Sequence, residues 1–299
     1  MVNRLNPSNE NFLAALNRIN ERAERATRQI ATGYRITSAS DAPDDISILL
    51  QARVEVDRTS QILTNLGRVK TEVDTAEERL RSAVTLMERA RVLGAQGASE
   101  THTAESRAAA AEEVTGILRQ LVSVAGTSVD GRYVFSGDAD PKAPFGWDDT
   151  AVYPVTGYHG SPATRQVQHP SGLAFSVARS GDEIFDAPGS SVFQAVYNLS
   201  VALRANDTAA IESALAAVTA AGAHLNRQLA FYGSVQGQVN AAIDDASKMK
   251  LRLETEISGL QEADLTQAIL ELNQARFHQQ AALEARAKLP QTSLFDFLR

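Results

Sequence analysis

Five histidines, at positions 102, 159, 169, 224 and 278, are the side chains of this 299-residue chain best suited to bind a metal or to move a proton near neutral pH. Their spacing serves neither task. Ligation needs imidazoles and carboxylates gathered on one helix face or in one loop, and no HExxH-like run occurs. Cysteine is absent, which removes thiolate nucleophiles, disulfides and Cys-based zinc sites. The run "DADPKAPFGWDD", residues 138–149, brings four carboxylates together but lacks the order and central glycine of a calcium loop, so it reads as a loop with solvated acids. In "GRYVFSG", Gly131 and Gly137 are followed by no Lys-Ser/Thr pair, so they are read as tight-turn residues and not as a phosphate cradle. No nucleophile has a base placed beside it. The expectation is a chain without cofactor, metal or enzymatic activity.

Charge narrows the partners further. The formal net charge is −7 and the pI near 5.3, whereas binding nucleic acid calls for clustered Lys and Arg in excess. No 18-residue apolar run suggests a membrane span, and the opening "MVNRLNPSNENFLAAL" has no signal-peptide core. Neither nucleic acid nor membrane is an expected partner.

The elements that must carry any function are helices. Phe12, Leu16, Ile19, Ala23, Ala26 and Ile30 alternate steps of four and three, one seam along a helix. The break "TGYRITSASDAPDD" follows: Gly33 closes the first helix, Asp41 is expected to cap the next, and Pro43, Asp44 and Asp45 suit its first turn. A second seam runs through Ile62, Leu66, Val69, Val73, Ala76, Leu80, Ala83, Met87 and Ala90. "GAQGASETHTAES" reads as a turn and "RAAAAEEVTGILRQLVSVAG" as a third helix. The period then changes to two around Leu173, Phe175 and Val177, with a Pro-Ser-Gly turn before them, which predicts paired strands. Trp147, Tyr153 and Tyr158 are expected to pack this insert. Helix returns through Ile211, Leu215, Val218, Gly222, Leu225, Leu229, Tyr232, Gln236, Val239, Ile243 and Ala246, and continues to Leu253, Ile257 and Leu260. A last seam begins at Leu265, Ile269 and Leu272, and Pro290 stops it.

Two long seams on either side of an insert predict a mainly α protein: an elongated antiparallel coiled-coil or helical-bundle rod, a small β-rich insert at its distal end, and both termini together. The expected segments are 1–42, an N-terminal coiled-coil helix; 43–135, the outgoing rod; 136–189, the β-rich insert; 190–261, the returning rod; and 262–299, a C-terminal helix. The terminal seams are narrow and rich in Ala and Gln. At about 25 cal/mol per Å² they offset little of an ordering cost of roughly 1–2 kcal/mol per residue. Assembly contacts are therefore expected at Phe12, Leu16, Ile19, Ile30, Leu265, Ile269, Leu272 and the apolar end formed by Leu294, Phe295, Phe297 and Leu298. The alternative is that these stripes only close an internal bundle.

Together the motifs resemble the flagellin superfamily, most closely its hook-filament junction members. "QIATGYRITSASDAPDD" resembles the family's N-terminal turn, although here Asp44 and Asp45 follow Pro43 where the family's paired acids precede it. "GRYVFSG", with Gly131, Arg132, Tyr133, Phe135 and Gly137 as the motif residues, is similar to the junction members' Gly-Arg-Tyr-(Ile/Leu)-Phe-Ala-Gly segment. "GDEIFD" at 181–186 and the final "SLFDFL" resemble further family segments. The resemblance implies a structural flagellar subunit, exported unfolded by the flagellar type III apparatus and placed outside the cell as a ring of its own copies. Implied partners are a FlgK-type junction protein, flagellin and a FlgN-type export chaperone. The alternative within the resemblance is flagellin itself.

Overall fold

The computed structural model describes residues 7–38, 40–139 and 141–288. Its elements are α1 (Pro7–Thr32), α2 (Pro43–Ala98), α3 (Ala104–Ala125), β1 (Ser128–Val129), β2 (Arg132–Tyr133), β3 (Gln166–Gln168), β4 (Ala174–Ser176), α4 (Gly181–Phe185), α5 (Val192–Ala205), α6 (Thr208–Gln261) and α7 (Leu265–Ala287). The chain is mainly α, with two small antiparallel strand pairs, β1 with β2 and β3 with β4. Residue contacts gather into two compact units. One is Thr59–Lys248; the other holds the described residues up to Arg58 and from Met249 onward.

In the terminal unit, α1 lies against α7. The pair is antiparallel: Arg286, near the end of α7, sits over the ring of Phe12 at 5.6 Å, and Gln279 Nε2 donates to Asn20 Oδ1 at 3.1 Å midway. Gly33 closes α1 as expected, at φ +74° with its N–H bonded to Gln29 O. Asp41 does not cap α2. Its Oδ2 turns back to accept from the Thr37 and Ser38 amides and the Thr37 hydroxyl at 2.8–3.0 Å, and Ile46 N–H begins the helix on Ala42 O. Pro43, the first residue of α2, has no N–H to offer a cap. Those three bonds hold the Asp41 carboxyl well below the usual carboxylate range, the Thr37 hydroxyl contributing most.

In the central unit, α2 and α6 run antiparallel: Lys70 donates to Asn240 and Gln236 to Asp74, while Met87 lies against Gly222. Leu66, Val69, Val73, Ala76, Leu80, Ala83, Met87 and Ala90 are all buried, so the α2 seam has the register its spacing predicts, with Ile62 half-buried at its start. Each fully buried Leu or Met contributes about 1.5–3 kcal/mol relative to exposure. The α6 seam differs by one residue at alternate positions. Ile211, Val218, Leu225, Tyr232, Val239 and Ala246 are buried as expected, but between them lie Ala214, Ala221, Gln228, Val235 and Ala242. The neighbours Leu215, Gly222, Leu229, Gln236 and Ile243 are half-buried. At Ala214 and Ala242 the small side chain is the buried one and its larger neighbour, Leu215 or Ile243, flanks it.

α3 packs on α5. A buried Arg107 fastens their ends: Nε donates to Gly97 O at 2.7 Å, Nη2 to Ser99 O at 3.1 Å and Nη1 to Asn206 Oδ1 at 2.5 Å. The bond to Gly97 O occupies a carbonyl in the last turn of α2 that has no helical partner. The segment expected to be β-rich contains three-residue strands only. Most of 136–189 is turns and loops, organised by aromatic rings instead of a sheet. Phe145 meets Phe193 at 4.9 Å, Phe185 stacks on Phe193 at 5.6 Å, and Phe135 meets Phe185 edge-on at 5.4 Å. Pro- and Gly-rich sequence rarely continues a ladder, whereas ring-to-ring packing tolerates irregular backbone.

Candidate assembly surfaces

The α1–α7 pair is joined through small side chains. Ala268 and Ala275 are buried on α7, with Leu272, Gln279 and Ala282 half-buried, and Ala26 is buried on α1. This moves the start of the α7 seam. Leu265 and Ile269, expected on it, are 47% and 50% exposed, while Leu272 lies in it. Phe12, Leu16, Ile19 and Ile30 are half-buried on the α1 side. Leu294, Phe295, Phe297 and Leu298 lie outside the described residues.

Large apolar groups are thereby left facing outward. At 100° per residue, Leu265, Ile269 and Leu283 flank the seam, while Leu270 and Phe277 lie on the opposite side of α7. Phe277 is 70% exposed. The start of α2 adds Ile48, Leu50 and Val54, also exposed. Leu270, Phe277, Leu283 and this α2 group were missed by sequence reasoning. The signal was present, since Leu270 and Phe277 stand seven apart and form a second stripe, but attention to a single seam hid it. Asp264 holds α7 in place by accepting from the Thr266 and Gln267 amides at 2.9 and 3.1 Å, an N-cap.

The loop after α1 and the segment between α6 and α7 are stitched together. Tyr34 forms a β-bridge with Glu262, Arg35 N–H donates to Gln261 O at 2.6 Å and Ala263 N–H to Gly33 O at 2.9 Å. The Arg35 guanidinium donates to Asp45 at 2.9 Å and to Leu260 O at 2.8 Å. Thus Asp45, after Pro43, has a partner upstream.

The "GRYVFSG" residues form a different kind of site. Asp130 and Gly131 both have positive φ, 51° and 78°, and close a two-residue hairpin between β1 and β2. The Asp-Gly pair is itself a hairpin signal, and the sequence reading took only the glycine from it. Gly131 and Arg132 are exposed and Tyr133 half-buried, whereas Phe135 is fully buried against Phe185 and, at 6.4 Å, Tyr232. The carbonyl of Phe135 accepts from Gly181 N–H at 2.8 Å and from Tyr158 Oη at 3.0 Å. Gly137, at φ +60°, lies where a Cβ would meet Ser161 O at 2.0 Å. The motif is thus a structural clasp that ties the hairpin to the α4 region.

Trp147, Tyr153 and Tyr158 do pack around the insert. Arg119 sits over Trp147 at 4.9 Å, and Tyr153 meets Tyr197 edge-on at 5.2 Å. Of the histidines, His224 Nε2 bonds Glu183 O at 2.9 Å and His169 Nδ1 bonds Ser171 Oγ at 2.8 Å. No group of three metal-ligating side chains occurs among the described residues. No described helix is long and apolar enough to cross a membrane.

The family described as the bacterial flagellin N-terminal helical region matches residues 2–140, and the bacterial flagellin C-terminal helical region matches residues 209–298. A flagellin of Clostridium tyrobutyricum is 25% identical over 118 residues, 40% of this chain and 31% of that one. The flagellar hook-associated protein 3 of Escherichia coli K12 is 26% identical over 163 residues, 53% of this chain and 49% of that one. The chain therefore spans about a third to a half of the length of these curated relatives. In fold, it is similar to a flagellar hook-associated protein of Vibrio parahaemolyticus, at 20% identity and a TM-score of 0.66, covering 74% of this chain and all of that one.

Proposed function

The chain belongs to the flagellin family, and from that premise we propose that it is a structural subunit of the bacterial flagellum that adapts hook-side proteins to the flagellin filament. The observation that carries this reading is the outward apolar surface of the terminal unit. Ala268 and Ala275 take the internal contact, while Ile269, Leu270 and Phe277 are left to solvent. A large exposed apolar set on a small-residue helix pair has its use in contact with other chains. Residues 1–42 and 262–299 would form the inner terminal helices of the assembly, with Leu294, Phe295, Phe297 and Leu298 extending its contacts.

Proposed contacts are other copies in a ring, a FlgK-type junction protein on the hook side, flagellin on the filament side, and before export a FlgN-type chaperone on the C-terminal segment. Export by the flagellar type III apparatus would place the subunit outside the cell. Unlike contacts at its two ends would stop it growing into an open polymer. On this reading the chain performs no catalysis.

The flagellin likeness favours a second reading, the filament subunit itself, and one assay separates the two. Purified protein is incubated with isolated hook ends under a kosmotropic salt, which strengthens apolar burial, and examined by electron microscopy. The adaptor reading expects soluble monomers that add only to hook ends carrying the preceding junction protein. Long filaments of this chain alone would replace it with flagellin. Removal of residues 290–299 is expected to leave the central unit folded and to abolish incorporation; normal incorporation would remove the C-terminal contact from the proposal.

A further inference from the structure

At the tip of the β1–β2 hairpin, Asp130 and Gly131 form the single Asp-Gly pair in the sequence, and no Asn-Gly pair occurs. Both residues are exposed, and both hold positive φ, 51° and 78°. A left-handed backbone is uncommon for a residue with a Cβ, and aspartate tolerates it because its side chain is short. In a two-residue turn the central amides point away from the ladder, and the Gly131 N–H donates to no backbone carbonyl among the described residues. A Cβ built at Gly131 would meet nothing within 4 Å, so the link between the two residues is open to solvent on that side.

The Asp130 carboxylate has no hydrogen-bond or ion-pair partner among the described residues. Other aspartates in turns and caps are held. Asp41 and Asp264 each accept from two main-chain amides, Asp148 accepts from the Thr150 amide and hydroxyl, and Asp149 accepts from Arg119 and Trp147. Such a carboxylate must give up its bonds before Cγ can meet the nitrogen of the next residue. None of these four is followed by glycine, so a side chain also crowds that nitrogen.

We propose that Asp130–Gly131 is a site of self-modification, where the peptide link migrates from the main-chain carbonyl of Asp130 to its side-chain carboxyl. In the first step the Gly131 nitrogen attacks Cγ of the acid form. A C–N bond forms, the C–OH bond breaks, and the hydroxyl leaves with the amide proton as water, closing a succinimide ring. In the second step water adds to the main-chain carbonyl carbon of Asp130. The bond from that carbon to the Gly131 nitrogen breaks, and the nitrogen regains a proton. The product is an isoaspartyl link of unchanged mass, with the former α-carboxyl as its side group; water adding to Cγ instead restores aspartate. The new link carries one more main-chain atom. It falls in a turn that fixes the pairs Ser128↔Tyr133 and Val129↔Arg132 and, one rung on, the Val134 N–H on Thr127 O at 3.0 Å. Isomerisation therefore loosens the strand that leads into Phe135. The proposal does not depend on the assembly reading.

The full chain, folded, is incubated in water labelled with heavy oxygen, digested with trypsin in ordinary water and read by mass spectrometry. One heavy oxygen is expected in the peptide 120–132, in which Asp130 is the only acidic residue, and none in the peptides holding Asp41 or the Asp148–Asp149 pair. The labelled peptide is expected to split into two isomers, of which one accepts a methyl group from S-adenosylmethionine through an isoaspartyl methyltransferase. Gly131→Ala is expected to lower labelling about tenfold, because its Cβ stands beside the attacking nitrogen. Alanine is strained at φ +78°, so Asp130→Glu is the second variant. It keeps the carboxylate and the glycine, but its larger ring closes far more slowly, and label is expected to vanish. Amide exchange at Val134 is expected to rise with the isoaspartyl fraction. A folded chain that stays unlabelled at Asp130, or labels no faster than Asp130→Glu, overturns the site. Label with unchanged exchange at Val134 overturns the effect on the hairpin.

Discussion

Tyr232 is the largest side chain that the central unit buries completely, and its phenol shows how one residue couples packing to pH. Burial pushes its pKa up to about 12, although the Arg179 N–H bonded to its oxygen at 3.2 Å works the other way. Tyr158, also raised to about 12 by burial, shares the cluster. A phenol whose folded pKa exceeds the unfolded value of 10.0 stabilises the fold fully below pH 10, and the contribution is lost as pH rises toward 12. Urea unfolding from pH 9 to 12 is therefore expected to show a decline that Tyr232→Phe makes shallower. An unchanged slope would mean that the phenol does not govern the alkaline limb. Phe135 makes a plainer case. It is fully buried and touches two other rings edge-on, so Phe135→Ala is expected to cost about 3–5 kcal/mol in chemical denaturation. A loss under about 1 kcal/mol would show that the cluster collapses into the space. Sequence marked Phe135 as a motif residue, yet its partners at positions 185 and 232 lie too far along the chain for spacing to reveal.

At the scale of elements, one surface reading held and another shifted for a definable reason. Along the α2 seam from Leu66 to Ala90 the residues that recur at helical spacing are also the buried ones, so spacing and structure agree there. In α6 the eye follows Leu215, Leu229 and Ile243, while the deeper burial belongs to Ala214, Gln228 and Ala242 beside them. Helix α7 repeats the pattern, with Ala268 buried and Ile269 exposed. Periodicity reports which stripe is apolar, whereas the depth of burial depends on the partner helix. The stitching of residues 33–36 to 260–263 was invisible in sequence because backbone donors and acceptors carry it. It rests partly on the Arg35 guanidinium, an exposed group whose pair with Asp45 is worth about 1 kcal/mol or less. Arg35→Ala is accordingly expected to leave global stability nearly unchanged but to speed amide exchange at Ala263 and Ile36. Unaltered exchange there would assign the stitching to the backbone alone.

For the whole molecule, the test is to separate folding from association. Ile269→Ser with Phe277→Ser changes two exposed residues, so the melting temperature of the monomer is expected to stay within the small effect of surface substitutions, about 0.5 kcal/mol each. Addition to hook ends is expected to fall sharply. Full incorporation of the double variant would show that these side chains are not assembly contacts. Seen at this scale, the amino-acid sequence by itself determined the mainly helical class, the α2 seam, the turn at Gly33 and the interruption between the two helical halves, while α2 itself runs to Ala98, past the start of the turn expected at Gly94. Each follows from local spacing or from a backbone conformation that one residue type permits. Only the tertiary structure decided that the interruption is organised by Phe135, Phe145, Phe185 and Phe193 instead of a sheet, that Asp41 turns upstream, and that the terminal pair buries alanines and leaves Phe277 outside. Those outcomes depend on which distant groups arrive within contact distance, and solvent exclusion between elements acts on proximity in space, which the order of residues along the chain does not encode locally.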